Sequence, residues 1–90
     1  MDLDKNVKLL DTVFLQEVDD ETILLDTETQ EYFSLNEVGG VFYQAMKHET
    51  NLLKIVEMLS EHFEVAHKEI ERDLTTFIKT LEEKGLLKLL

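Results

Sequence analysis

Three histidines and two serines are the side chains best suited to chemistry in this chain, and neither set has the spacing that chemistry requires. A metal pair on a helix needs histidines at i and i+4, or an H-E-x-x-H frame. His62 and His67 are five apart, and His48 stands alone. His48 and His62 fall near the ends of expected helices, where a cation is favoured by the helix dipole without any ligand. Ser34 and Ser60 lack the G-x-S-x-G elbow of a serine nucleophile. Asp19-Asp20-Glu21 lacks the alternating carboxylates and distal glutamate of a calcium loop. The absence of cysteine excludes a disulfide scaffold, a thiolate zinc site and a cysteine nucleophile. Twenty acids supply many chance carboxylate pairs, and none stands out as an acid/base couple. The expectation is a protein with no catalytic residues, no metal and no cofactor.

The remaining chemistry is that of binding. On an expected helix carrying Ile70, Leu74, Phe77, Ile78 and Leu81, Lys68, Arg72 and Lys79 fall within about 40° of one another, opposite the apolar face. Thr75 and Thr76 flank this basic stripe. It can attract an acidic segment of a partner, or serve as solubility charge balanced by Glu69, Glu71 and Glu82.

These residues must be positioned by one small domain, because 90 residues leave no room for a second. The chain is 43% hydrophobic and 32% charged, as in a globular fold. Twenty acids against nine bases give a net charge of −11, which opposes binding to nucleic-acid phosphates and to anionic lipid. No apolar run approaches the roughly 20 residues of a membrane span. The polar Met1-Asp2-Leu3-Asp4-Lys5 start is unlike a signal peptide, which points to the cytoplasm. The charge is uneven: residues 1–36 hold ten acids and two bases, against ten acids and seven bases in residues 37–90.

The acidic part reads as β structure. Residues 12–18 are rich in β-branched and aromatic types, Asp19-Asp20 is a turn pair, and residues 22–26 form a second strand. The polar loop Thr27–Gln30 leads to a third strand over residues 31–35, with Phe33 and Leu35 directed to the core. The period then changes to 3.6. Asn36 is a suitable N-cap for a helix carrying Val38, Phe42, Ala45 and Met46. A second helix, capped by Thr50 or Asn51, carries Leu52, Ile55, Val56, Leu59 and Phe63 on one face. A third carries Ile70, Leu74, Phe77, Ile78 and Leu81, and Gly85 ends it in the left-handed conformation. The apolar tail Leu86–Leu90 is expected to pack back on the domain, and residues 1–11 to form a flexible lead-in to a single domain over 12–90. The fold class is α+β: a three-stranded antiparallel β-meander followed by three α-helices. Gly39-Gly40 breaks the helix pattern. It marks a loosely started helix or a neighbour packed on bare backbone. A meander also has two edges, and an open edge beside a helix can accept a peptide as an added strand.

The run Tyr32-Phe33-Ser34-Leu35-Asn36-Glu37-Val38-Gly39 resembles the central motif of the PqqD family: an aromatic pair, Leu-Asn, two residues and a small residue opening a helix. The likeness continues through Phe63-Glu64-Val65, Asp73, Phe77, Ile78, Leu81 and Gly85-Leu86-Leu87. It implies a winged-helix-like domain, the RiPP recognition element, which binds the leader segment of a ribosomally made precursor peptide. Such domains present the leader to a modifying enzyme such as a radical-SAM enzyme or a protease. Carried onto this chain, the leader would pair along Glu31, Tyr32, Phe33, Ser34 and Leu35 and lie against Arg72, Thr75, Thr76 and Lys79. Members of pyrroloquinoline quinone synthesis are richer in Arg and Pro near the N-terminus and often carry alanines where this chain has Gly39-Gly40. The resemblance therefore implies the peptide-binding role and does not assign the chain to that pathway or another.

The leading reading is a non-catalytic peptide adaptor. The alternative is a winged-helix DNA-binding or protein-interaction domain. Its recognition helix would carry Glu69, Glu71, Asp73, Glu82 and Glu83, which repel phosphate. An acyl-carrier role would need an Asp-Ser-Leu motif, which is absent.

Overall fold

The computed structural model describes residues 2–90. Eight elements follow one another: β1 (Val7–Leu9), β2 (Val13–Val18), β3 (Glu21–Asp26), β4 (Glu31–Leu35), α1 (Glu37–His48), α2 (Leu52–Phe63), α3 (His67–Glu83) and β5 (Leu87–Leu89). Strands β2-β3-β4 form the expected antiparallel meander, and three helices follow it. The arrangement is compatible with a winged-helix-like fold.

The turn chemistry sets the register. Asp19 and Asp20 both have positive φ, 50° and 70°. That is the geometry of a two-residue type I′ hairpin, which aspartate tolerates and which matches the twist of the flanking strands. Val18 therefore faces Glu21, and Leu15 faces Leu24. In the next hairpin the Asp26 carboxylate accepts the Glu28 N–H at 3.0 Å, and Leu24 faces Phe33. One sheet face thus carries Leu15, Leu24 and Phe33 toward the helices. The other carries Phe14, Leu25 and Tyr32 in a cross-strand row.

Caps define the helix starts. Asn36 Oδ1 accepts the Gly39 N–H at 2.7 Å. Asn51, not Thr50, caps α2, its Oδ1 accepting the Lys54 N–H at 3.1 Å. Two backbone N–H groups, of Asn51 above all and of Thr50, donate to the Glu49 carboxylate and hold it below its ordinary range. Helix α3 ends in a Schellman motif: the Gly85 N–H donates to Glu82 O and the Leu86 N–H to Leu81 O. Gly85 has φ +73°, and a Cβ there would meet nothing within 4 Å. Gly85→Ala is therefore expected to cost about 1–2 kcal/mol from left-handed backbone strain alone. Thermal melts check this, with Gly85→Asn expected to lose less.

The segment read as a flexible lead-in is tied into the domain, although its first residue lies outside the described residues. Val7 is buried, and β1 pairs antiparallel with β5, Val7 opposite Leu89. The Leu52 and Leu53 N–H groups donate to Lys5 O and Leu3 O. Together with the Asn51 side chain, this satisfies the first three N–H groups of α2, which have no partner within the helix. Strand β1 is three residues long, and its partner is some eighty residues away. Local alternation is too weak a signal for such a pair. The tail packs back as expected, with Leu86 and Leu87 buried.

The core lies where α1, α2 and α3 meet beneath the meander, and Leu24, Leu52, Ile55, Val56 and Leu74 are fully buried there. Phe42 of α1 meets Phe63 of α2 and Phe77 of α3 edge-on, with centroids 6.0 and 5.6 Å away.

Candidate functional site

Strand β4 is an edge of the meander, paired only with β3. In an antiparallel ladder, alternate residues turn their N–H and C=O groups away from the neighbour. Part of the β4 backbone therefore faces outward without a strand partner. The sequence then bends at once into α1, and Asn36 caps that helix within one residue of the strand's end. This sharp junction sets the strand end, the start of α1 and the flank of α3 around a cleft of about 380 Å³.

The cleft has three walls. Phe33, Ser34 and Leu35 come from β4; Val38, Gly39 and Phe42 come from α1, beside Asn36. From α3 come Asp73, Thr76, Phe77, Thr80, Leu81 and Lys84. Gly39 lets the walls approach: a Cβ there would lie 3.2 Å from Phe77 Cε1 and 3.6 Å from Leu35 Cβ. Of the two readings of the glycine pair, close packing on bare helix backbone is the one seen at Gly39. The Thr76 and Thr80 hydroxyls donate to the Arg72 and Thr76 carbonyls, so their hydrogens are committed within the helix. The cleft is mostly apolar, with a strand edge along one side. Its chemistry is that of holding an extended apolar segment.

The structure divides the residues expected from sequence. Phe33, Ser34, Leu35 and Thr76 line the cleft together. Glu31 and Tyr32 belong to the same strand but lie outside the lining, and Tyr32 is 67% exposed on the outer sheet face. Arg72 projects into solvent with its Nε 3.7 Å from Asp73 Oδ1. Thr75 and Lys79 border a separate depression with Asp2, Lys5 and Ile78. The reason is angular. The basic stripe lies about 160° from the centre of the α3 core face, whereas the cleft residues lie about 90° from it. A cleft between two packed elements is walled by the shoulder of the core face, not by its far side. The shoulder has its own signal, Asp73, Thr76, Thr80 and Lys84 at spacings of 3, 4 and 4 beside Phe77, which basic charge alone does not mark.

Among the described residues, no group of three or more His, Asp or Glu is placed to hold a metal ion. No helix among them is long and apolar enough to cross a membrane.

Fold and cleft together define a class: a small α+β domain whose open edge strand faces a helix across an apolar groove. The family model described as coenzyme PQQ synthesis protein D (PqqD) matches residues 21–87. The chain belongs to the PqqD family. Among solved structures it is similar to TbiB1 in complex with the TbiA(beta) leader peptide. That likeness has 32% identity and a TM-score of 0.79, over 90% of this chain and 94% of that one. It is also similar in fold to a lasso peptide synthetase B1 complexed with the leader peptide. There the identity is 23% and the TM-score 0.71, over 91% of this chain and 96% of that one. No curated protein matches the sequence.

Proposed function

We propose that this chain is a non-catalytic adaptor that binds the leader segment of a ribosomally made precursor peptide and presents it to a modifying enzyme. The observation that carries the reading is the unpaired edge of β4 facing α3 across an apolar cleft. The leader adds as a strand along Glu31–Leu35, where backbone pairing supplies affinity. Alternate side chains enter the cleft between Phe33, Leu35, Thr76 and Phe77. In this arrangement the leader does not reach Arg72, Thr75 and Lys79. The 32% identical relative, described in complex with a leader peptide, supports the reading. The modifying enzyme is of the radical-SAM or protease kind, and the setting is the cytoplasm, where precursor peptides are made.

An amide-resolved NMR titration tests this, using labelled protein and synthetic peptides from short reading frames beside its gene. Saturable shifts in Glu31–Leu35 and along Thr76–Lys84 are expected with at least one of them. Shifts confined to the outer sheet face, or none with any peptide, would overturn the reading.

A further inference from the structure

We propose that the cleft reads the register of two charges, with Asp73 and Lys84 as its specificity-determining residues. This inference rests on the peptide-binding reading and names the kind of peptide. The favoured ligand is an extended, mainly apolar segment. It carries a basic residue at the Asp73 end and an acidic residue at the Lys84 end, about five residues apart.

Asp73 and Lys84 are the charged residues among those lining the cleft. They stand eleven positions apart on α3 and its C-cap. Eleven helical steps span about 16.5 Å. An extended strand covers that distance in about five residues. The ends are fixed relative to β4. Lys84 Nζ sits 4.5 Å from the Phe33 ring centroid, beside the middle of the strand. Phe77, one turn after Asp73, packs at Gly39, beyond the strand's end. Helix α3 therefore runs opposite to β4, and a peptide lying between them meets Lys84 at one end and Asp73 at the other.

Both charges are available to a ligand. The Arg72–Asp73 contact is long, with side chains 74% and 59% exposed, so water screens most of it. Lys84 rests on an aromatic face and pairs with no carboxylate among the described residues. The two ends also act separately, because about 16.5 Å exceeds the screening length of roughly 8–10 Å at ordinary ionic strength. The surroundings sharpen the role of Lys84. Between Lys8 and Lys47 the chain has nine acids and no Lys, Arg or His, so the general field around the meander repels an acidic ligand. A preference for an acid at one position must then come from Lys84 itself.

Panning a randomised displayed-peptide library on immobilised protein tests the proposal. The wild type should enrich apolar peptides with an acid and a base about five residues apart, their order giving the direction of the added strand. Lys84→Glu should reverse the preference at the acidic position only, and Asp73→Lys at the basic position only. Lys84→Gln and Asp73→Asn should abolish one preference each without reversing it, which keeps the test sound if a reversed charge disturbs folding. Anisotropy with matched synthetic peptides should then show about two- to fivefold losses for a mismatched charge, as for partly exposed ion pairs. Enriched peptides whose charge pattern is the same for all five proteins would overturn the register while leaving peptide binding intact. Failure of every protein to enrich any peptide would overturn the binding reading itself.

Discussion

Phe42→Ala is expected to remove about 3–5 kcal/mol of stability, the range for truncating a buried phenylalanine. The residue is 3% exposed, and its ring is the junction at which Phe63 and Phe77 meet edge-on. Truncation leaves a hole between three helices whose backbones cannot all close on it. A domain of this size holds only about 5–13 kcal/mol in total, so the variant would stand near the edge of folding. Urea unfolding followed by circular dichroism measures this directly. With a slope near 1 kcal/mol per molar, the midpoint should fall by roughly 3 M or more. Phe42→Leu should fall less, because it keeps part of the volume. A midpoint unchanged in the alanine variant would show that the three rings contribute nothing to holding the helices together. The same ring also forms the floor of the cleft, so this stability is tied to the binding surface.

The second large effect is expected at Gly39. Any side chain there starts with its Cβ 3.2 Å from Phe77 and 3.3 Å from Asn36 Oδ1, closer than atoms settle without movement. Gly39→Leu adds three further carbons that must displace Phe77 or fill the cleft. Overpacking costs about 1–3 kcal/mol, against a gain of about 1 kcal/mol from helix propensity. The net loss of stability is modest, and the loss of binding is not. A filled cleft should lower peptide affinity by about 100-fold or more, equivalent to roughly 2.7 kcal/mol. Gly40→Ala is the control. Its Cβ would meet Thr22 Cγ2 at 3.5 Å, an ordinary contact, so the variant should gain up to about 1 kcal/mol. It should bind as the wild type does. Paired urea melts and peptide titrations separate the two glycines. Equal binding by Gly39→Leu would show that the peptide does not use this cleft.

Much of this arrangement was legible in the sequence. The Asp19-Asp20 turn, the Asn36 cap and the Gly85 terminator are local signals, and each appears where its chemistry demands. The switch of period after Leu35 separates the meander from the helices, and the Leu35–Gly39 motif carries the family likeness. What could not be read locally was pairing at long range. Val7 and Leu89 have little meaning apart, and the strands they anchor exist through each other. On α3 the expected residues and the cleft lining share Thr76 and otherwise differ, for a different reason. Charge drew attention to Lys68, Arg72 and Lys79, but a cleft takes the shoulder of a buried face. Which shoulder is known only once β4 and α1 are seen beside it. Asp73 and Lys84 were ordinary helix charges until the structure set an aromatic strand opposite them.

The β1–β5 pairing has a mechanical consequence. Val7 sits opposite Leu89, and the Leu90 N–H donates to Asn6 O, so the chain enters and leaves the domain at the same end of one antiparallel ladder. A load pulling the two ends apart meets the bonds of that ladder one after another, as a zipper does, and never all at once as in shear. On the N-terminal side the load reaches Leu3 and Lys5, which precede β1, before the ladder itself, so their carbonyls leave the first turn of α2 as it opens. Tension would therefore release the clasp and loosen α2 first, while the meander, which no part of this path crosses, stays paired.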